Sequence, residues 1–87
     1  MEDEDGYERS CVWTARAIVE RDLGQIDDAR RHLNSAIGIC RRASNEELAI
    51  RYSCLAIIEE NAGNHKEAEH MKQSASDNWV LHFKMLR

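Results

Sequence analysis

Ten residues of this chain recur in pattern about 39 positions later: Arg21-Asp-Leu-Gly-Gln-Ile-Asp-Asp-Ala-Arg30 is echoed by Glu60-Asn-Ala-Gly-Asn-His-Lys-Glu-Ala-Glu69. Each copy holds a Gly–x–x–x–x–Ala unit. Repetition on this scale marks a stacked architecture, in which each unit buries its apolar face against a neighbour rather than alone. The absence of proline, and β-branched residues that scatter rather than alternate, favour helix throughout. The expected fold is therefore all-α: four antiparallel helices forming two stacked helix-turn-helix repeats.

The apolar spacing sets the helix bounds. Residues 7–23 read as a first helix, with Cys11, Ala15, Ile18 and Val19 on one stripe and Trp13 and Ala17 on an adjoining face. Gly24 ends it with the permissive backbone that a tight turn requires. The second helix runs from about Ile26 to Arg42, with Ile26, Ala29, Leu33, Ala36, Ile37 and Cys40 at spacings of three and four. Asp27 and Asp28 at its start and Arg41 and Arg42 at its end suit the helix dipole.

Ser44-Asn-Glu-Glu47 is a capping-box pattern that opens the third helix, and Asn64 with Glu67 makes a second box after Gly63. The third helix is apolar on two faces, Leu48, Tyr52, Leu55 and Ala56 against Ile50, Cys54, Ile57 and Ile58. So wide an arc predicts a sandwiched helix. The fourth carries Ala68, Met71, Ala75, Trp79, Phe83 and Leu86. Ser74, Ser76, Asp77 and Asn78 weaken its middle and predict a possible break there.

At 87 residues the chain is one domain at most, and no apolar run approaches bilayer length. No secretion signal is legible at the N-terminus. Five of the 16 acids, Glu2, Asp3, Glu4, Asp5 and Glu8, precede the first apolar stretch, so the net charge of −4 belongs to a lead of residues 1–8 and the remainder is nearly neutral. The lead reads as a solvated, flexible tail. Residues 9–87 read as a single helical domain: repeat one at about 10–43, repeat two at about 44–78, and a C-terminal extension at 79–87. Overall charge suggests neither nucleic acid nor membrane as partner.

Cys11, Cys40 and Cys54 are odd in number and sit in helical apolar patterns, which reads as reduced, buried thiols in the cytoplasm or nucleus. No C-x-x-C or H-x-x-x-H spacing proposes a metal. His65 and His70 lie about 140° apart around their helix. Nothing beside the cysteines suggests an oxyanion site, so no catalytic residue, metal, cofactor or small-molecule substrate is expected. Glu46, Glu47, Glu59 and Glu60 read as helix-start charges and solvated faces. Arg30, Arg31, Arg41, Arg42 and Arg51 read as a solvated basic face with local ion pairs.

Taken together, these positions resemble the tetratricopeptide repeat family across roughly residues 10–78. Its unit has an aromatic and a small residue in the first helix, Gly in the turn, and two small residues seven apart in the second. Repeat one supplies Trp13, Ala17, Gly24, Ala29 and Ala36, with Leu33 between the alanines; repeat two supplies Tyr52, Ala56, Gly63, Ala68 and Ala75. Small residues there let paired helices approach closely. Arg16 and Lys72 depart from the family's apolar preferences, no proline follows either unit, and the spacing exceeds the usual period of about 34. A weaker resemblance is to the three-helix MIT domain, through Asp22-Leu-Gly-Gln-Ile-Asp-Asp-Ala29.

The resemblance implies a non-enzymatic scaffold or adaptor that binds a helical or extended segment of another protein. The family's concave groove maps onto Cys11, Thr14, Ile18, Ile50, Ser53 and Ile57; the same residues could equally fill a core. The Lys and Asn clamp for a terminal carboxylate, found in chaperone-binding members, is absent. Trp79, Phe83 and Leu86 either close over the core or form a partner or homodimer contact. The alternatives are a self-association module and an MIT-like adaptor in trafficking or autophagy.

Overall fold

The computed structural model describes residues 6–39 and 44–86. Among them are four helices and no strand: α1 (Tyr7–Asp22), α2 (Ile26–Ile39), α3 (Asn45–Asn61) and α4 (His65–Met85). They form two compact units, α1 packed on α2 and α3 packed on α4. The acidic residues 2–5, Cys40, Arg41 and Arg42 lie outside the described residues.

The two sequence echoes fold into the same turn. After α1, Gly24 adopts φ 80°, its N–H donates to the Arg21 carbonyl at 3.1 Å, and the Gln25 N–H donates to the Glu20 carbonyl at 2.8 Å. After α3, Gly63 adopts φ 82°, with Gly63 donating to Glu60 at 3.0 Å and Asn64 to Glu59 at 2.8 Å. Both are Schellman closures, in which a left-handed residue lets two terminal carbonyls find donors. The chain reverses within three residues, so each pair of helices is antiparallel.

In the first hairpin the helices meet through small side chains. Ser10, Ala17, Ala29, Leu33 and Ala36 have no solvent exposure, and Leu33 is the one large side chain among them. At the far end from the turn, the Ser10 hydroxyl donates to the Ala36 carbonyl at 2.9 Å. At the turn end, His32 Nδ1 lies 2.6 Å from Glu20 Oε1. The ion pairs expected on α2 form between Arg30 and Asp27 at 3.1 Å and between Arg31 and Asp28 at 2.9 Å.

Of the stripe Cys11, Ala15, Ile18 and Val19, Ile18 is half-buried and the other three are exposed, so Cys11 is not a buried thiol. Residues without bulk, Ser10 and Ala17, take the inner face because only they let α2 come close. Cys54 is half-buried, and neither it nor Cys11 forms a disulfide.

In the second hairpin Ser44 caps α3 as expected: the Glu47 N–H donates to Ser44 Oγ at 3.1 Å, and the Ser44 hydroxyl donates in turn to the Glu47 carboxylate at 3.3 Å. The Asn64–Glu67 box does not form. The Asn64 backbone closes the preceding turn, and its side chain makes no cap bond. Nor does α4 break. It runs unbroken for 21 residues, and its polar middle bonds within the helix, Asn78 Nδ2 to the Ser74 carbonyl at 2.8 Å and Gln73 Nε2 to Asp77 at 2.9 Å.

Two charges expected in solvent are buried. Arg51 is enclosed and pairs with Glu47 at 3.5 Å, and Glu59 is buried as well. The wide apolar arc of α3 is graded: Ile57 and Ile50 are exposed, Cys54 is half-buried and Ile58 is buried.

Candidate interaction groove

Along α3, Ser53, Ala56, Ile57 and Glu60 fall at i, i+3, i+4 and i+7, one face of the helix. Facing them on α4 are Lys72, Ala75, Ser76, Trp79, Val80 and Phe83. Between the two rows runs a groove of ≈ 790 Å³. Its small lining side chains are Ser53, Ala56, Ala75 and Ser76, and its apolar walls are Ile57, Trp79, Val80 and Phe83. Ile57 is 46% exposed and Phe83 59%, so the groove is apolar and open together.

The aromatic wall is ordered by ring contacts. Trp79 and Phe83 stack with centroids 5.9 Å apart, and His82 meets both rings edge-on, at 5.8 Å and 5.3 Å. This follows from the i, i+4 spacing of 79 and 83.

The two ends of the groove differ in charge. At the turn end, Lys72 Nζ bonds Glu60 at 3.0 Å and Glu69 at 3.1 Å, and His65 Nδ1 lies 2.8 Å from the other Glu60 oxygen. The Lys72 ammonium, followed by His65, holds the Glu60 carboxyl below its ordinary range. Glu60, followed by Glu69, raises Lys72. At the opposite end Lys84 lines the rim and makes no ion pair among the described residues.

Of the six groove positions read from the sequence, Ser53 and Ile57 line this groove. Ile50 is exposed on the same side of α3, beyond the lining residues. Cys11, Thr14 and Ile18 belong to the other hairpin: Cys11 is exposed, Ile18 is half-buried, and Thr14 donates its hydroxyl to the Ser10 carbonyl at 2.7 Å. Trp79 and Phe83, read as a separate contact, stand across from Ser53 and Ile57. Leu86 lies away from them, beside His82, Met85, Ser44 and Asn45. Val80 and Lys84 were missed, although both continue the line of Ser76 at i+4 and i+8.

The family model described as Tetratricopeptide repeat matches residues 8–79. Neither a curated protein nor a solved structure matches the chain.

Proposed function

The chain belongs to the tetratricopeptide repeat family, whose repeats are in general protein-interaction modules, and we propose that it is a non-enzymatic scaffold holding a helical protein segment between α3 and α4. The observation that carries this reading is the groove itself: apolar walls left open to solvent in a chain of 87 residues. Exposed apolar surface of this kind, rimmed by charge, suits the greasy face of a helix with anchors at i, i+3, i+4 and i+7. Trp79 and Phe83 supply large contact area with little rotamer entropy to lose.

The α1 positions Cys11, Thr14 and Ile18 contribute less in this reading, because Thr14 and Ile18 are half-buried. No helix among the described residues is long and apolar enough to cross a membrane. Cys11 and Cys54, outside any disulfide, suit a reducing compartment, cytoplasm or nucleus. An MIT-like adaptor, a three-helix form, does not account for a fourth helix or for the second Schellman turn.

The test is crosslinking capture with the wild-type chain and with Ile57→Asp, read by mass spectrometry. A charge in the groove wall, on a residue already half exposed, leaves the hairpin folded but desolvates badly under a bound helix. Proteins captured by the wild type and lost from Ile57→Asp support the reading. An identical set from both chains, with helical content unchanged, overturns it.

A further inference from the structure

Seven Ser and Thr hydroxyls are spread along the chain, and six of them lie inside helices: Ser10 and Thr14 in α1, Ser35 in α2, Ser53 in α3, Ser74 and Ser76 in α4. Ser44 is the exception. It stands just before α3 with φ −72° and ψ 165°, an extended backbone, and it is exposed. By sequence it is also the only one with two arginines among the three residues before it, in Arg41-Arg42-Ala43-Ser44. Ser53 follows Arg51 by two positions, but that arginine is buried and the serine is helical.

Arg-directed protein kinases select this combination. Such an enzyme takes its substrate as an extended strand, pairs the arginines with its own carboxylates, and needs a hydroxyl that reaches its cleft. We therefore propose that Ser44 is a phosphorylation site for a kinase of this class, its phosphate being received between the start of α3 and His82. In the transfer Ser44 Oγ attacks the γ-phosphorus of ATP and the bond from that phosphorus to the bridging oxygen breaks. The hydroxyl proton passes to the kinase's catalytic aspartate, and ADP leaves. The site is independent of what occupies the groove.

The contacts of Ser44 decide how the phosphate is accommodated. The Glu47 N–H donates to Ser44 Oγ at 3.1 Å, and a phosphate oxygen at the start of the helix takes over that bond. The Ser44 hydroxyl donates to the Glu47 carboxylate at 3.3 Å, a bond that the phosphate replaces with repulsion. The displaced carboxylate keeps a second partner, Arg51 at 3.5 Å. Ser44 also lines a cavity of ≈ 410 Å³ with Asn45, His82, Met85 and Leu86, and of these lining side chains His82 alone can carry positive charge. Its Nε2 lies 4.0 Å from the Glu46 carboxylate, and its ring meets Trp79 and Phe83 edge-on. A phosphate brings about two negative charges at pH 7 and competes with Glu46 for the protonated ring. Phosphorylation thus acts on the aromatic wall of α4 through a residue that touches both of its rings.

The test incubates the whole chain, its helical content checked by circular dichroism, with Mg-ATP and the catalytic subunit of cyclic-AMP-dependent protein kinase. A single phosphate is expected, placed on Ser44 by fragment mass spectrometry. Ser44→Asn keeps a favoured N-cap, stays folded and takes up none. Arg41→Gln with Arg42→Gln lowers the initial rate about tenfold or more, as loss of charge-assisted hydrogen bonds to the kinase requires. In the phosphorylated chain the ring signals of His82 shift in NMR, while those of His70, about 18 Å earlier along α4, stay in place. No uptake by the folded chain, uptake undiminished in Ser44→Asn, or a rate indifferent to the two arginines overturns the site. His82 signals unmoved by a phosphate on Ser44 overturn its reception beside α4.

Discussion

Ser10 Oγ donates to the Ala36 carbonyl at 2.9 Å across the α1–α2 contact, with both residues fully buried. A hydroxyl here replaces the bulk that a large apolar residue would bring, and lets the helices meet closely. Ser10→Ala removes the donor without adding volume and costs about 1 kcal/mol, lowering the melting temperature by about 4–8 °C in a chain of this size. Ser10→Leu overpacks the same contact and costs about 1–3 kcal/mol. Urea titration followed by circular dichroism checks the order, Leu worse than Ala.

Among the described residues of the first hairpin, Leu33 is the only large side chain with no solvent exposure, the others being Ser10, Ala17, Ala29 and Ala36. Leu33→Ala therefore costs about 2–5 kcal/mol. Leu23→Ala, on an exposed residue at the end of α1, changes stability by less than about 0.5 kcal/mol. Equal unfolding midpoints for the two variants would show that α1 and α2 do not pack as described.

Gly6 precedes α1 with φ 75°, and a Cβ there would run into the Ile39 carbonyl oxygen. Gly24 has nearly the same dihedral, but a Cβ meets nothing. Gly24→Ala should cost about 1 kcal/mol, the backbone penalty alone. Gly6→Ala adds a clash with backbone and should cost clearly more, with helical content lost first from the beginning of α1. The same denaturation series separates them.

The repeat unit was legible because its signals are local: Gly24 and Gly63 with alanines five and twelve residues on specify a Schellman turn followed by a close-packed helix. The inner face was legible through its alanines, since Ala17, Ala29, Ala36, Ala56, Ala68 and Ala75 are all buried, but not through the apolar stripes, and Ser10 was not singled out. Periodicity sorts residues into faces but does not say which one meets a neighbour, and in α1 the less apolar face, Ser10 with Ala17, goes inward because closeness matters there more than hydrophobicity. Arg51 and Glu59 defeated the expectation that charge stays in solvent. The i, i+4 spacing of Glu47 and Arg51 was legible as an ion pair, but not that folding would enclose the Arg51 end of it. Propensity likewise predicted a weak middle for α4, where Asn78 in fact bonds back to Ser74. In the groove, Ile57 and Trp79 were each legible as apolar surface, but their facing each other depends on the register of α3 against α4, which no single-helix pattern encodes.

The Glu60–Lys72 pair gives the second hairpin a pH dependence of known sign. Glu60 is held below its ordinary range in the folded chain, so its contribution is complete above the unfolded value and is lost as pH falls through the folded one. Lys72 is raised, so its contribution is complete below its unfolded value and disappears as pH rises through the folded one. Stability from this pair is thus flat between the two ranges and declines at both ends. Both side chains are exposed, and salt should flatten the curve. Lys72→Met should move the Glu60 titration upward in carboxyl-carbon NMR; an unmoved midpoint would mean the 3.0 Å contact is not held in solution.

Trp79 and Phe83 stack on each other, yet they divide the work of folding and binding. Trp79 is half-buried beside Ala75, whereas Phe83 projects from the last turns of α4 with most of its surface in solvent. Truncating Trp79 removes area that folding has already taken from water, and Trp79→Ala should cost about 1–3 kcal/mol. Phe83→Ala gives up little of that area and should cost less than about 1 kcal/mol, but it removes the outer wall of the groove. The signatures then separate: Trp79→Ala lowers the melting temperature and weakens association, and Phe83→Ala leaves melting nearly unchanged while association falls. Association that survives Phe83→Ala at full strength would place the binding surface elsewhere than between α3 and α4.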